Sequence, residues 1–183
     1  GDRGNAPCAI GLQSHTGGWT DHNKQWQVYE ELAAAGLPIH ITEFWASTKS
    51  LKEEGKLDDE TIEQMQADYV ENFLTVAFGH PSVEAFFFWG GSIVEWRDES
   101  TSGHRLTRFY DRLRGLIHDH WSTRETLRTD AEGRANFRGF FGDYAARYAL
   151  PGGPRRGLRF RLSKPHTGET VLTIPTPLRP KTD

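Results

Sequence analysis

Five side chains within the first hundred residues are of types that together can work on a sugar: Gln13, His15, Glu43, Trp89 and Trp96. A carboxylate attacks or stabilises an oxocarbenium-like centre, polar groups orient hydroxyls, and indole faces stack on pyranose rings. Glu43 is the pivot. It lies in Pro38-Ile39-His40-Ile41-Thr42-Glu43-Phe44, a β-branched run that starts behind a proline and reads as a buried strand. A Glu at the C-terminal end of such a strand, followed by a loop and a helix, stands where a parallel (β/α) barrel keeps its reactive groups. Alone, such a residue is more often solvated or an ion-pair partner. Its company singles it out, because the runs before and after it also end in polar or aromatic groups.

Those groups converge only if their strands run the same way. Residues 8–15 form a short apolar run closing in polar groups, and Thr16-Gly17-Gly18-Trp19-Thr20 is the loop that follows. Residues 24–35 are helical, with Trp26, Tyr29 and Ala33 on one face, Asp21 as cap, and Gly36 and Pro38 as stops. After the Glu43 strand, residues 47–56 read as a polar loop. Asp58 or Asp59 then caps a helix whose Ile62, Met65, Tyr69, Phe73 and Val76 recur at three and four. Gly79-His80-Pro81 ends it. Val83-Glu84-Ala85-Phe86-Phe87-Phe88-Trp89 is nearly continuous apolar, as a strand covered on both faces should be. Gly90-Gly91-Ser92 breaks that strand, and Trp96 falls in the next loop. A last helix carries Leu106, Phe109, Leu113 and Leu116 or Ile117. The alternation β-α-β-α-β-α predicts parallel strands with right-handed crossovers.

From about Trp121 the character changes. A turn at residues 129–134, short runs at 135–137, 158–162 and 169–174, and breaks at Gly142-Asp143 and Pro151-Gly152-Gly153-Pro154 predict a small antiparallel β module. The division expected is an α/β part over residues 1–120, the β module over 121–175, and a loose Pro-rich tail over 176–183.

The 183 residues carry a formal charge of −3 with cations spread along the chain, which gives no electrostatic reason to expect nucleic acid. No apolar run has membrane length and no signal peptide is visible. The single Cys8 excludes an internal disulfide. His15 with His22, or His118 with His120, could be ligand pairs, but none has a Cys or carboxylate partner at zinc spacing, so neither metal nor cofactor is expected. The chain opens on Gly1-Asp2-Arg3-Gly4 without a methionine, almost directly before a strand, and reads as cut from something longer.

In this order and spacing the motifs resemble glycoside hydrolase family 10, the endo-β-1,4-xylanases. Ile10-Gly11-Leu12-Gln13-Ser14-His15 is similar to that family's sixth-strand motif, and Ile41-Thr42-Glu43 to the seventh. His80-Pro81-Ser82-Val83-Glu84 leading to Trp89-Gly90 resembles the approach to the eighth, and Thr129-Asp130 through Asp143-Tyr144 a C-terminal extension of some bacterial members. The resemblance implies the C-terminal portion, about three β/α units, of a (β/α)8 TIM barrel followed by the β module. It implies Glu43 as the nucleophile of a retaining hydrolase, His15 as the group touching it, Gln13, Trp89 and Trp96 as substrate contacts, a xylan-like polysaccharide as partner, and an extracellular home. Two departures stand out: Trp45 occupies the place of an Asp that orients the family's His, and Gly91-Ser92-Ile93-Val94-Glu95-Trp96 replaces the family's continuation after Trp-Gly. The family's acid/base Glu lies in an Asn-Glu motif on the fourth strand, and no Asn-Glu dipeptide occurs here. The missing N-terminal part of the barrel is then a partner of this one, and the fragment alone is expected to be inactive. Glu84, Glu95 and Asp98 are the other carboxylates near the motifs; Glu84 begins a strand, at the wrong end. Two alternatives stay open: a non-catalytic carbohydrate-binding or interaction module, and another retaining barrel glycosidase acting on β-glucan or β-galactoside.

Overall fold

A computed structural model describes residues 8–16, 19–90, 95–98, 103–149, 153–163 and 171–174, with the side chains of residues 16, 95–98 and 104 outside that description. The chain divides into two compact units, residues 1–118 and 119–183.

The first unit is built on one strand. β1 (Ile10–Leu12) and β2 (His15–Thr16) follow each other along β3 (Ile39–Ala46), and β4 (Val83–Phe88) pairs with β3 as well, all in parallel. Ile39, Ile41, Phe44 and Ala46 of β3 are completely buried. Between the strands run α1 (His22–Ala33), a short α2 (Lys49–Glu54) and α3 (Asp59–Gly79); α4 (Arg108–Gly115) follows and leads into a π-helical turn, Leu116–His120. Parallel strands that neighbour each other in chain order, joined through helices, are the arrangement of a barrel wall; a doubly wound sheet reverses its order.

The helices start where the sequence supplies acceptors. The Asp21 carboxylate accepts from the amides of Asn23 and Lys24 (2.9 and 3.2 Å) and Asp58 accepts from Thr61 N–H (2.7 Å), pairing donors that the first helical turn leaves free. The dry side of the sheet is aromatic: Phe44 meets Phe73 at 4.4 Å and Phe86 at 5.2 Å, and Phe88 meets Phe109 at 5.8 Å.

Several expectations change. Residues 47–56 are not all loop, because α2 forms there and ends on Gly55 at a positive φ of 63°. Met65 and Val76 do not belong to the buried stripe of α3, which is Ile62, Ala67, Tyr69, Val70, Phe73, Leu74 and Ala77; a helix wedged between neighbours buries a wider arc than one row. Trp26 is 40% exposed, while Gln25 beside it is buried and donates to the Tyr29 hydroxyl (2.9 Å) and the Phe73 carbonyl (2.8 Å). A polar residue holds that place because both its donor bonds are satisfied. Residues around Trp96 are not loop but the strand β5 (Glu95–Asp98), paired antiparallel with β6 (Gly103–Leu106). Leu106 therefore lies in β6 and is exposed, as is Ile117; Phe109 and Leu116 carry the burial on that side. Residues 17–18 and 91–94, read as turns, lie outside the described residues.

α4 is docked on α3 by charge. Arg105 holds Glu63 through two bonds (2.8 and 2.7 Å), Arg108 N–H donates to Glu63 (2.9 Å) and its guanidinium pairs with Glu60, and Arg112 spans Asp68 and Glu71. A shallow cavity of about 470 Å³ lies along this ladder, lined by its own salt-bridged groups.

The second unit contains one hairpin, β7 (Gly142–Ala149) with β8 (Arg155–Leu162), in register from Gly142 opposite Leu162 to Ala149 opposite Arg155. Tyr144 stacks on Phe160 at 5.3 Å, and Phe137 closes on both. The Tyr144 hydroxyl donates to the Phe140 carbonyl (2.7 Å) and reaches Thr123 Oγ1 (3.1 Å); Gly139 lies against it, where an added Cβ would collide with the phenol. The turn at Asp130 closes through Asp130 N–H to the Arg134 carbonyl (2.8 Å), with the Asp130 carboxylate accepting from Glu132 and Arg134. The runs at 135–137 and 171–174 are irregular rather than strands, and Val171 is 80% exposed. Residues 151–152, 169–170 and the tail from 175 on lie outside the described residues.

The Arg105 fork, helped by the Arg108 amide and opposed by partial burial, holds the Glu63 carboxyl below its ordinary 4.5. Below that value the unfolded chain binds the extra proton first, so the α3–α4 ladder stabilises fully above about 4.5 and weakens as pH falls through the depressed value. Glu63→Gln should lower the unfolding temperature at neutral pH by a few degrees, and the gap to the parent should shrink as the solution is acidified and the Glu63 carboxylate takes up its proton. A gap independent of pH in paired thermal melts would exclude the ladder as its source.

Candidate active site

The site stands at the C-terminal end of β3, and a register change makes it. Ile10, Gly11 and Leu12 lie opposite Ile39, His40 and Ile41, whereas His15 and Thr16 lie opposite Trp45 and Ala46. Gln13 and Ser14 thus span the same length as Thr42, Glu43 and Phe44. On the other edge Ile41 faces Phe86 and Phe44 faces Phe88, so Phe87 alone spans Thr42 and Glu43. β3 carries one extra residue against both neighbours, a bulge at Thr42–Glu43. Strict alternation would put Glu43 on the face of Ile39 and Ile41, under the helices. The bulge returns Phe44 and Ala46 to that face and leaves Glu43 28% exposed on its side chain.

The facing strand bends too. Ser14 adopts a left-handed φ of 56°, uncommon outside glycine, and its carbonyl accepts from Trp45 N–H at 3.3 Å. This splits β1 from β2 and sets His15 level with Trp45. His15 Nε2 then lies 3.1 Å from Glu43 Oε2. An ionised carboxylate only accepts, so in that bond the imidazole donates. On its other side the His15 ring meets Trp89 at 5.6 Å and 47°. Trp89 N–H donates to the Phe44 carbonyl (2.9 Å), which ties the end of β4 to β3, and the indole is 53% exposed. A carboxylate, an imidazole and an open indole face share one place.

Of the five candidates, His15, Glu43 and Trp89 come together. Gln13 is exposed at the break between β1 and β2, two residues before His15. Trp96 has its backbone in β5 opposite Arg105, and its side chain lies outside the described residues. Glu84 sits at the N-terminal end of β4, away from Glu43. Among the described residues no group of three or more His, Cys, Asp or Glu gathers to hold a metal, and no helix is long and apolar enough to cross a membrane.

Sequence reasoning missed the supports. Trp19 stacks on Tyr69 at 4.9 Å and donates from its indole to the Ser47 carbonyl (3.1 Å); Tyr69 OH accepts from Thr20 N–H (3.0 Å), and Gln66 donates to the Ala46 carbonyl (2.7 Å). Together they pin the loops after β2 and β3 to α3. Trp45, in the place of the expected Asp, lies beside Gly90, its ring 3.9 Å from where a Cβ would stand. It also lines a 450 Å³ cavity with Ser47, Thr48, Lys49, Lys52 and Glu53.

The family model described as Glycosyl hydrolase family 10 matches residues 3–112. The chain belongs to glycosyl hydrolase family 10. The matched stretch contains every strand that builds the site, and it implies that β1, β3 and β4 are part of a TIM-barrel wall. A relative, "Anti-sigma-I factor RsgI6" of Acetivibrio thermocellus, is 31% identical over 172 residues, 91% of this chain. The chain spans about a fifth of that relative's length (21%). Because that similarity covers 91% of the chain, it extends past residue 112, where the family match stops, into the second unit.

Gly90 has a φ of +69° with Trp45 packed beside it. Gly90→Ala should destabilise by about 1 kcal/mol through backbone strain, since an added Cβ meets the Trp45 ring only at ordinary contact distance. An unchanged denaturant midpoint would show that the positive φ at this turn carries no strain.

Proposed function

We propose that this chain supplies the nucleophile half of a retaining family-10 glycosidase acting on a β-1,4-xylan-type polysaccharide, as the last three β/α units of an eight-stranded barrel. The observation that carries the reading is the 3.1 Å contact of His15 Nε2 with Glu43 Oε2 beside the open face of Trp89. In the first step a Glu43 oxygen bonds to the anomeric carbon as the glycosidic C–O bond breaks, and the leaving oxygen takes a proton from a second carboxyl. In the second step water attacks that carbon, gives a proton back to the same carboxyl and releases the Glu43 carboxylate. His15 holds the attacking carboxylate in one orientation through its N–H, while Trp89 and Gln13 meet the sugar by stacking and hydrogen bonding. Trp96 is a further stacking residue in this reading.

Retention requires the second carboxyl about 5–5.5 Å from the first. The family resemblance assigns that carboxyl to an Asn-Glu motif, a dipeptide that does not occur in this sequence. The 183 residues alone are therefore not expected to turn over.

A second reading is favoured by two observations. Trp45 stands where the family's His-orienting Asp belongs, and the RsgI6 relative is by its name an anti-sigma factor. A module that binds a glycan without cutting it would suit a regulatory protein. In a polypeptide carrying the whole barrel, Glu43→Gln should abolish xylan hydrolysis, by about a thousandfold or more, with affinity for xylo-oligosaccharides nearly unchanged. Hydrolysis that survives the substitution excludes Glu43 as nucleophile. A parent that binds but never cleaves supports the second reading.

A further inference from the structure

The two units differ sharply in charge. Up to His118 there are ten Lys and Arg against eighteen Asp and Glu; from Asp119 on there are twelve against seven. Between Asp119 and Ser163 every basic residue is an arginine. Much of that charge is ordered by the hairpin. Along β7 and β8 side chains alternate between two faces, and one face is the half-buried apolar one with Tyr144, Tyr148, Leu158, Phe160 and Leu162.

The other face has one arginine on each of four successive rungs: Arg161 opposite Asp143, Arg159 opposite Ala145, Arg147 opposite Gly157, and Arg155 opposite Ala149. All four arginines are exposed. Arg161 has a loose, solvated partner in Asp143 at 3.9 Å; Arg147, Arg155 and Arg159 have no ion pair among the described residues. Small residues across three rungs leave the guanidinium groups standing above a low floor. Rungs on one face repeat at about 7 Å, so the row extends about 20 Å. A repulsive row of like charge costs stability in a small module unless it meets an anion.

We propose that this arginine face binds the carboxylates of an acidic polysaccharide, a glycan chain bearing uronic acid residues. The proposal rests on the reading that the chain handles polysaccharide. Guanidinium forks match carboxylates two bonds at a time, which a lysine cannot do, and the absence of lysine from this stretch favours that recognition over diffuse attraction. A row of single charges at regular intervals suits an extended polymer with a repeated acidic group.

The test uses the whole chain in affinity electrophoresis through gels containing polygalacturonate, glucuronoxylan or unsubstituted xylan, with single-stranded oligo(dT) as a competing polyanion. Polygalacturonate and glucuronoxylan should retard the protein, with the effect falling as salt rises. Arg159→Gln with Arg147→Gln should weaken retardation by about tenfold or more, and Arg159→Lys with Arg147→Lys should weaken it nearly as much because the forks are lost. Both sites are exposed, and an unchanged circular dichroism spectrum checks that the hairpin persists. The proposal is overturned if the Gln pair leaves retardation unchanged, if the Lys pair restores it fully, or if oligo(dT) competes as well as polygalacturonate. Unsubstituted xylan, which carries no carboxylate, reads the Glu43 site instead: retardation by the acidic glycans that the Gln pair removes, with none by unsubstituted xylan, counts against the xylan reading and leaves this one standing.

Discussion

The extra residue at Thr42–Glu43 is the constraint on which the first unit depends. β3 has to satisfy two demands with opposite periods. Its apolar residues must meet α1 and α3, and its acidic residue must reach open space. A regular strand carrying Ile39, Ile41 and Phe44 cannot do both, because Phe44 is out of phase with the isoleucines. The bulge resolves the conflict by letting three residues of β3 span two of the facing strand. Unpaired backbone at that point is the cost, and it is confined to the end of the sheet where a ligand or water can reach it.

Everything around the bulge serves to hold it. Ser14 takes a left-handed conformation on one side, Phe87 stretches past two residues on the other, and the Trp89 amide rejoins the ladder at Phe44. The helices contribute from behind. Phe73 of α3 packs on Phe44, Gln66 of the same helix reaches the Ala46 carbonyl, and Tyr69 anchors the preceding loop through Thr20 and Trp19. The geometry of the His15–Glu43 pair is thus set by α3 as much as by the strands. α3 in turn is braced by Arg105, Arg108 and Arg112, which pair with its acidic residues.

The two units are stabilised by different means. The first buries aromatic and β-branched residues between sheet and helices. The second has no strand beyond one hairpin among its described residues and relies on the Phe137–Tyr144–Phe160 cluster, whose single hydroxyl is shared with Thr123 and Phe140. Leu127, Phe140, Phe141, Leu172 and Ile174 remain exposed there. Apolar periodicity in so thin a module marks strands poorly, and the runs at 135–137 and 171–174 read as strands without becoming so.

The sequence by itself determined the main β-α-β-α-β-α alternation of the first unit, without α2 or the β5–β6 hairpin, the Asp21 and Asp58 caps, and the family to which Gln13, His15, Glu43 and Trp89 belong. These are legible because caps, breakers and short motifs act within a few residues of one another. It also pointed to a short strand at Leu158–Leu162 and to the turn at Asp130, for the same reason, while its partner strand Gly142–Ala149 was legible only as a break at Gly142-Asp143. Only the tertiary structure decided that Glu43 escapes the helix face, that Gln25 rather than Trp26 is buried, and that Trp96 lies in a hairpin strand. Each of those depends on a partner distant in the chain: Glu43 on the register of two neighbouring strands, Gln25 on the Phe73 carbonyl, and the Trp96 strand on pairing with Arg105. Alternation along one segment carries no record of a residue inserted against its neighbours, so the feature that makes the site had to come from the assembled sheet.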